Sequence, residues 1–183
     1  MAGSDIFIAI IKIGPGLGIK KQLLTSLIKR PTFHRNVIGR RLYHQGIRLL
    51  KQISHLEEAE LRGIHYYQSK QQRPGLPTLL LLHGFSEGKD PLLVLATRLR
   101  FHANLIIPDL PGFGENMKHA TQKYDFGHIC SVIETFIQQK KLKKIIVLGI
   151  SLGGALAMEI ALRMPKKIHK LMLIDPAGFY DPS

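Results

Sequence analysis

Cysteine is almost absent from this chain: Cys130 is the only one in 183 residues. No internal disulfide can form, which fits a reducing compartment. Cys130 falls inside a predicted helix and reads as a buried, inert thiol. Acidic residues are scarce, 13 against 26 Lys and Arg, for a formal net charge of +13. The imbalance is local, because residues 1–55 carry ten basic residues against Asp5 alone. Such a segment suits an anionic membrane surface. No aromatic-interleaved or zinc-type motif accompanies it, so no nucleic-acid partner is expected. Long hydrophobic runs are missing too. Residues 6–11 are apolar, but Asp5 precedes them and Lys12 ends them. That run is too short to cross a bilayer, and it lacks the basic start and small-residue cleavage site of a secretory signal. Gly14-Pro15-Gly16-Leu17-Gly18 is followed by neither Gly-Lys-Ser/Thr nor a dinucleotide pattern. It reads as a plain turn, which disfavours an NTPase. The nine histidines are scattered without ligand spacing, so neither a metal nor another cofactor is expected.

What the chain has is patterned apolar sequence, 45% hydrophobic and 21% charged, in a length suited to one domain with a sizeable core. Residues 18–29 predict a short amphipathic helix, with Ile19, Leu23, Leu24, Leu27 and Ile28 on one stripe and Pro31 closing it. A second helix is predicted over 33–55, with Ile38, Leu42, Leu49, Ile53 and Leu56 sharing a face. Two basic amphipathic helices suit a membrane surface, or else packing on the body with a solvated basic face. The acidic stretch 57–60 changes the composition. The expected organisation is therefore a basic helical extension over 1–58 and a body over 59–183.

In the body, apolar strands alternate with helices. Strands are predicted at 64–68, 78–82, 104–107, 143–148 and 171–174. Helices are predicted at 91–100, opened by Asp90 as N-cap and Pro91, at 126–139, and from the serine described next to Met164. This alternation argues for an α/β fold, a mostly parallel sheet with helices on both faces. Functional residues then belong at the carboxyl ends of the strands.

One stretch carries the chemistry. A β-branched run leads into Gly149-Ile150-Ser151-Leu152-Gly153-Gly154 and then into an Ala/Leu/Met-rich helix. A strand that turns at once into a helix strains the residue at the bend and pushes its side chain outward. Gly149 and Gly153 keep side chains away from that bend, and Gly154 lets the helix pack close. Seventeen glycines make a bare Gly-x-Ser-x-Gly a cheap coincidence, so the weight rests on the flanking strand and helix.

Three motifs in order, His83-Gly84-Phe85, Asp109-Leu110-Pro111-Gly112-Phe113-Gly114 and the Ser151 turn, resemble the α/β-hydrolase fold family. With Asp175-Pro176-Ala177-Gly178, the wording over about residues 60–180 is most similar to its monoacylglycerol-lipase-like and carboxylesterase branch. The resemblance implies a serine hydrolase cleaving lipid or short acyl esters. Ser151 would be the nucleophile, and the backbone N–H groups of Phe85 and Leu152 the oxyanion hole. His83 would be structural, and Asp109 would brace its loop. Phe85, Phe113 and Met117 would line an acyl pocket or pack under a lid.

The family also needs an acid and a histidine after the nucleophile. His169 is the only histidine beyond Ser151, and it lies at the amino end of its strand. Asp175 stands where a minority of the fold places its acid, or else serves an Asp-Pro turn. The chain thus reads as truncated after the fold's sixth strand. Its triad acid and histidine are missing, and an apolar sheet edge is left unpaired. The alternative is a catalytically inactive fragment or pseudo-hydrolase that binds a membrane or a partner. The expected location is the cytoplasm, peripheral to a membrane through residues 1–55.

Overall fold

The computed structural model describes residues 7–11, 37–85, 88–116 and 124–178. Seven strands form one sheet: β1 (Phe7–Ile11), β2 (Leu56–Leu61), β3 (Ile64–Ser69), β4 (Thr78–Leu82), β5 (Asn104–Pro108), β6 (Ile145–Ile150) and β7 (Ile168–Ile174). Their spatial order is β1-β7-β6-β4-β5-β3-β2. Neighbours run parallel from β1 to β5, whereas β3 is antiparallel to both β5 and β2. Four helices among the described residues pack on this sheet: α1 (Val37–Ile53), α2 (Leu92–Leu99), α3 (Phe126–Gln139) and α4 (Leu152–Arg163).

The central strands lack alternation because both their faces are covered. In β4, Leu79 to Leu82 are all buried, and their side chains divide between two cores. Leu80 and Leu82 meet α3 and α4 through Ile133, Phe136, Leu156 and Ile160. Leu79 and Leu81 meet α2 and the inner side of α1 through Leu92, Leu93, Ile47 and Leu50. Each such leucine contributes about 2 kcal/mol by leaving water. In α3 the apolar spacing Ile129, Ile133, Phe136, Ile137 forms the buried stripe, and Asp125 caps its start by accepting from the His128 N–H at 2.8 Å. Cys130 is buried in that stripe, and burial pushes its thiol up to about 11, so it is inert as expected.

Four sequence expectations are corrected. Within the span read as a basic helical extension, Phe7–Ile11 is a strand. It pairs in parallel with β7, from Phe7 opposite Lys170 to Ile11 opposite Ile174, so β7's outer edge is not left unpaired. An edge with free N–H and C=O groups accepts a β-prone run wherever in the chain it comes from. The acidic stretch 57–60 is no break, because it lies within β2. There Glu58 and Glu60 face solvent while Ala59 and Leu61 pack against the core. Asp90 does not cap α2. Pro91 occupies that position without a side-chain bond, and the Asp90 carboxylate accepts instead from Tyr67 Oη at 2.7 Å and Tyr43 Oη at 3.0 Å. Finally, the 33–55 helix runs over Val37–Ile53, but the apolar face expected there is not the face that packs. Leu42, Leu49 and Ile53 are exposed. The predicted helix at 18–29 lies outside the described residues.

Candidate active site

Ser151 stands between β6 and α4 with φ 51° and ψ −116°, the strained bend that the motif requires. Surrounding backbone holds it there. Its N–H donates to the Ile174 carbonyl at 3.1 Å, and its own carbonyl accepts from Ala177 and Gly154, each at 2.9 Å. The bend is passable only because three neighbours lack side chains. A Cβ on Gly149 would come within 2.2 Å of the Gly153 carbonyl oxygen, and one on Gly153 within 2.2 Å of the Leu82 carbonyl oxygen. A Cβ on Gly154 would meet Pro176 at 2.7 Å. The serine hydroxyl makes no capping hydrogen bond and is only half-buried.

The backbone contact between Gly153 and Leu82–His83 brings the start of α4 against the loop that carries Phe85. Among the described residues, the N–H groups of Phe85 and Leu152 donate to nothing. Leu152 is the first residue of α4, where unengaged N–H groups and the helix dipole favour negative charge. The Phe85 side chain is 72% exposed, and its ring meets Phe113 edge-on at 5.5 Å. Met117 lies outside the described residues.

His83 is wholly buried and is held at both ring nitrogens. Nε2 accepts from the Leu110 N–H at 2.9 Å, so Nδ1 carries the proton and donates to the Gly84 carbonyl at 2.8 Å. Burial lowers its pKa and keeps it neutral. It ties the β4 and β5 loops together, as the structural reading expected. Asp109 does the same from the other side. Its carboxylate accepts from the Lys89 N–H at 2.6 Å, Lys89 Nζ at 2.9 Å and the Glu115 N–H at 3.0 Å.

Lys89 was missed by sequence reasoning. Its ammonium is buried, donates also to Glu115 and lies 4.9 Å above the Tyr67 ring. Burial alone would lower its pKa, but the bonds to Glu115 and Asp109 outweigh that and hold it above the usual value. The only signal for it was a lysine in a glycine-rich loop, which reads as a solvated charge. Asn116, also missed, donates to the Asp109 carbonyl at 2.6 Å and accepts from the His65 N–H at 2.9 Å.

Phe85, the Asp109 loop, Ser151 and Asp175 follow β4, β5, β6 and β7, which are contiguous in the sheet. They therefore share its carboxyl edge. Asp175 is exposed there with φ 45°, and its carboxylate bonds to no described residue. His169 is exposed near the amino end of β7. It is the extra residue of a bulge, because Ile145 and Ile146 pair with Ile168 and Lys170. A groove of about 360 Å³ between α3 and the β2–β3 hairpin, lined by Leu61, Ile64, Val132 and Phe136 among others, shares no residue with this edge.

The chain belongs to the α/β-hydrolase fold family, whose model matches residues 77–183. It is 40% identical over 103 residues to Lipase 3 of Moraxella sp., which covers 56% of this chain and 32% of that protein. It is 32% identical over 127 residues to a monoacylglycerol lipase of Homo sapiens, covering 65% of this chain and 38% of that protein. Among solved structures it is similar to a membrane phospholipase A described as a bacterial virulence factor. That match has a TM-score of 0.72 and 28% identity, and covers 89% of this chain and 54% of that one. The chain spans about a third to a half of the length of the curated relatives it matches.

Proposed function

We propose that Ser151 is the nucleophile of a hydrolase acting on carboxylic esters of lipid or short acyl groups. Its Oγ attacks the ester carbonyl carbon and gives up its proton to a base. The carbonyl oxygen becomes an oxyanion held by the Leu152 and Phe85 N–H groups. Collapse expels the alcohol, which takes up the proton, and water then cleaves the acyl-serine to free acid. Each oxyanion donor of this kind is worth about 3 kcal/mol in the transition state. The observation that carries the reading is the strained Ser151 bend together with two N–H groups that have no partner among the described residues. The lipase names among the relatives support the substrate class.

Among the described residues, no histidine is assigned as the base. His83 has both nitrogens engaged, and His169 is at the other end of its strand. Without a base the serine keeps an ordinary alcohol pKa and reacts slowly. Among the described residues, Asp175 is the carboxylate assigned to the acid's role, and a backbone at φ 45° accepts Asn as readily. The test is fluorophosphonate labelling of the protein isolated from its natural source and of its Ser151→Ala variant. Labelling lost in the variant supports the reading, and labelling that persists there overturns it.

The reading extends to a cytoplasmic protein that works at a membrane surface. No described helix is long and apolar enough to cross a membrane, so contact would be peripheral in these residues. One observation favours a second, non-catalytic reading as a membrane- or partner-binding protein: the exposed apolar residues on basic α1.

A further inference from the structure

Helix α1 carries two apolar stripes, and the body uses one. Ile47 and Leu50 turn inward onto the α2 side of the sheet. Tyr43 and Ser54, on the same side, bond to Asp90 and to the Leu93 carbonyl. The other stripe is Leu42, Leu49 and Ile53, seven and eleven residues apart, with 52%, 57% and 43% of their surfaces exposed. At 3.6 residues per turn these three lie on one line, about a quarter-turn from the packed stripe. Arg41 and Arg48 each precede a member of that line by one residue, so they flank it on the side away from the body. Both are exposed, and neither has an ion-pair partner among the described residues.

We propose that this outward stripe of α1 is a docking face for an anionic lipid surface, with Leu42, Leu49 and Ile53 entering the acyl boundary and Arg41 and Arg48 meeting the headgroups. The inference rests on the membrane-facing part of the reading above and uses none of its chemistry. Charge complementarity selects the occupant. Exposed arginines beside a narrow aliphatic line suit a fluid, negatively charged interface. The line is one side chain wide and has no aromatic anchor or pocket of the kind that dominates protein interfaces.

The absence of tryptophan from the chain makes a direct test available. Leu49→Trp introduces the only indole, at an exposed site where folding is insensitive to substitution. Its emission should be that of a solvated indole in buffer. It should shift to the blue on adding phosphatidylcholine vesicles that contain about a third phosphatidylglycerol. Leu162→Trp, on the exposed side of α4, is the control and should not shift. Vesicle sedimentation of Leu42→Ser/Leu49→Ser/Ile53→Ser should show binding weakened at least about tenfold. Arg41→Gln/Arg48→Gln should lose about tenfold on the anionic vesicles only. An indole already shielded in buffer would mean that the chain itself or a second copy covers the stripe, and the proposal fails. It fails equally if both probes shift alike, or if neither multiple variant weakens binding. No readout requires Ser151 to react, so serine labelling and docking can fail independently.

Discussion

Two parts of the same sheet edge are built on opposite principles. After β4 and β5, the loops are cross-tied by buried polar groups: His83 to Leu110, and Lys89 to Asp109 and Glu115. The polar side chains of His83, Lys89 and Asp109 are all engaged. After β6, the Ser151 bend is held by clearance, with three glycines admitting backbone close to backbone, and the Ser151 hydroxyl and Leu152 N–H have no partner among the described residues. The first region is rigid because it is satisfied. The second is strained and unsatisfied, and it persists because its surroundings leave it no alternative. Gly153 packs against the Leu82 and His83 backbone, so the cross-tied side is the wall on which the strained bend rests.

Removing the ammonium from the satisfied side should have the largest effect. Lys89→Met leaves the Asp109 carboxylate buried without its counter-charge, at a cost of about 3 kcal/mol in urea unfolding. Lys89→Met/Asp109→Leu should recover part of that loss, because removing both charges removes the uncompensated one. On the strained side, Gly149→Ala drives a methyl into the Gly153 carbonyl. It should cost about 2 kcal/mol by the same measurement, since backbone cannot step aside as a side chain can. The smallest effect has the opposite sign. Ser151→Gly should stabilise the protein by about 1 kcal/mol, because glycine adopts φ 51° without strain. A destabilising Ser151→Gly would show that the bend is unstrained and would erase the contrast between the two regions.

The parts legible in the sequence are those whose cause is local. The apolar run of β4 and the Gly-x-Ser-x-Gly turn each carry their reason within a few residues. The turn could be placed at the end of a strand because a β-branched run stops there. Where the cause is distant, the sequence was silent or misleading. Asp90 has the form of an N-cap, yet its carboxylate serves two tyrosines, 23 and 47 residues away. Lys89 reads as a surface charge until Asp109 and Tyr67 close over it. The acids at 57–60 suggested a break because charge was weighed above alternation, although Glu58 and Glu60 share the wet face of the strand and Glu57 is half-buried and accepts from Gln68. In α1 two apolar stripes lie side by side, and only the tertiary contact decides which is inside.

The pairing of β1 with β7 has a consequence in time. Its register joins Phe7 to Lys170, so the contact closes a loop over nearly the whole described chain. On a ribosome, β1 emerges before β7, with β2 to β6 made between them. Its apolar residues must wait through the synthesis of the five described strands between them. Contacts this remote in sequence are slow to form, and an unpaired strand edge is a site of misassembly while it waits. Among the described strands β1 is thus made before β2 to β6 and placed after them, and its edge stays open to chaperones and to aggregation for that interval.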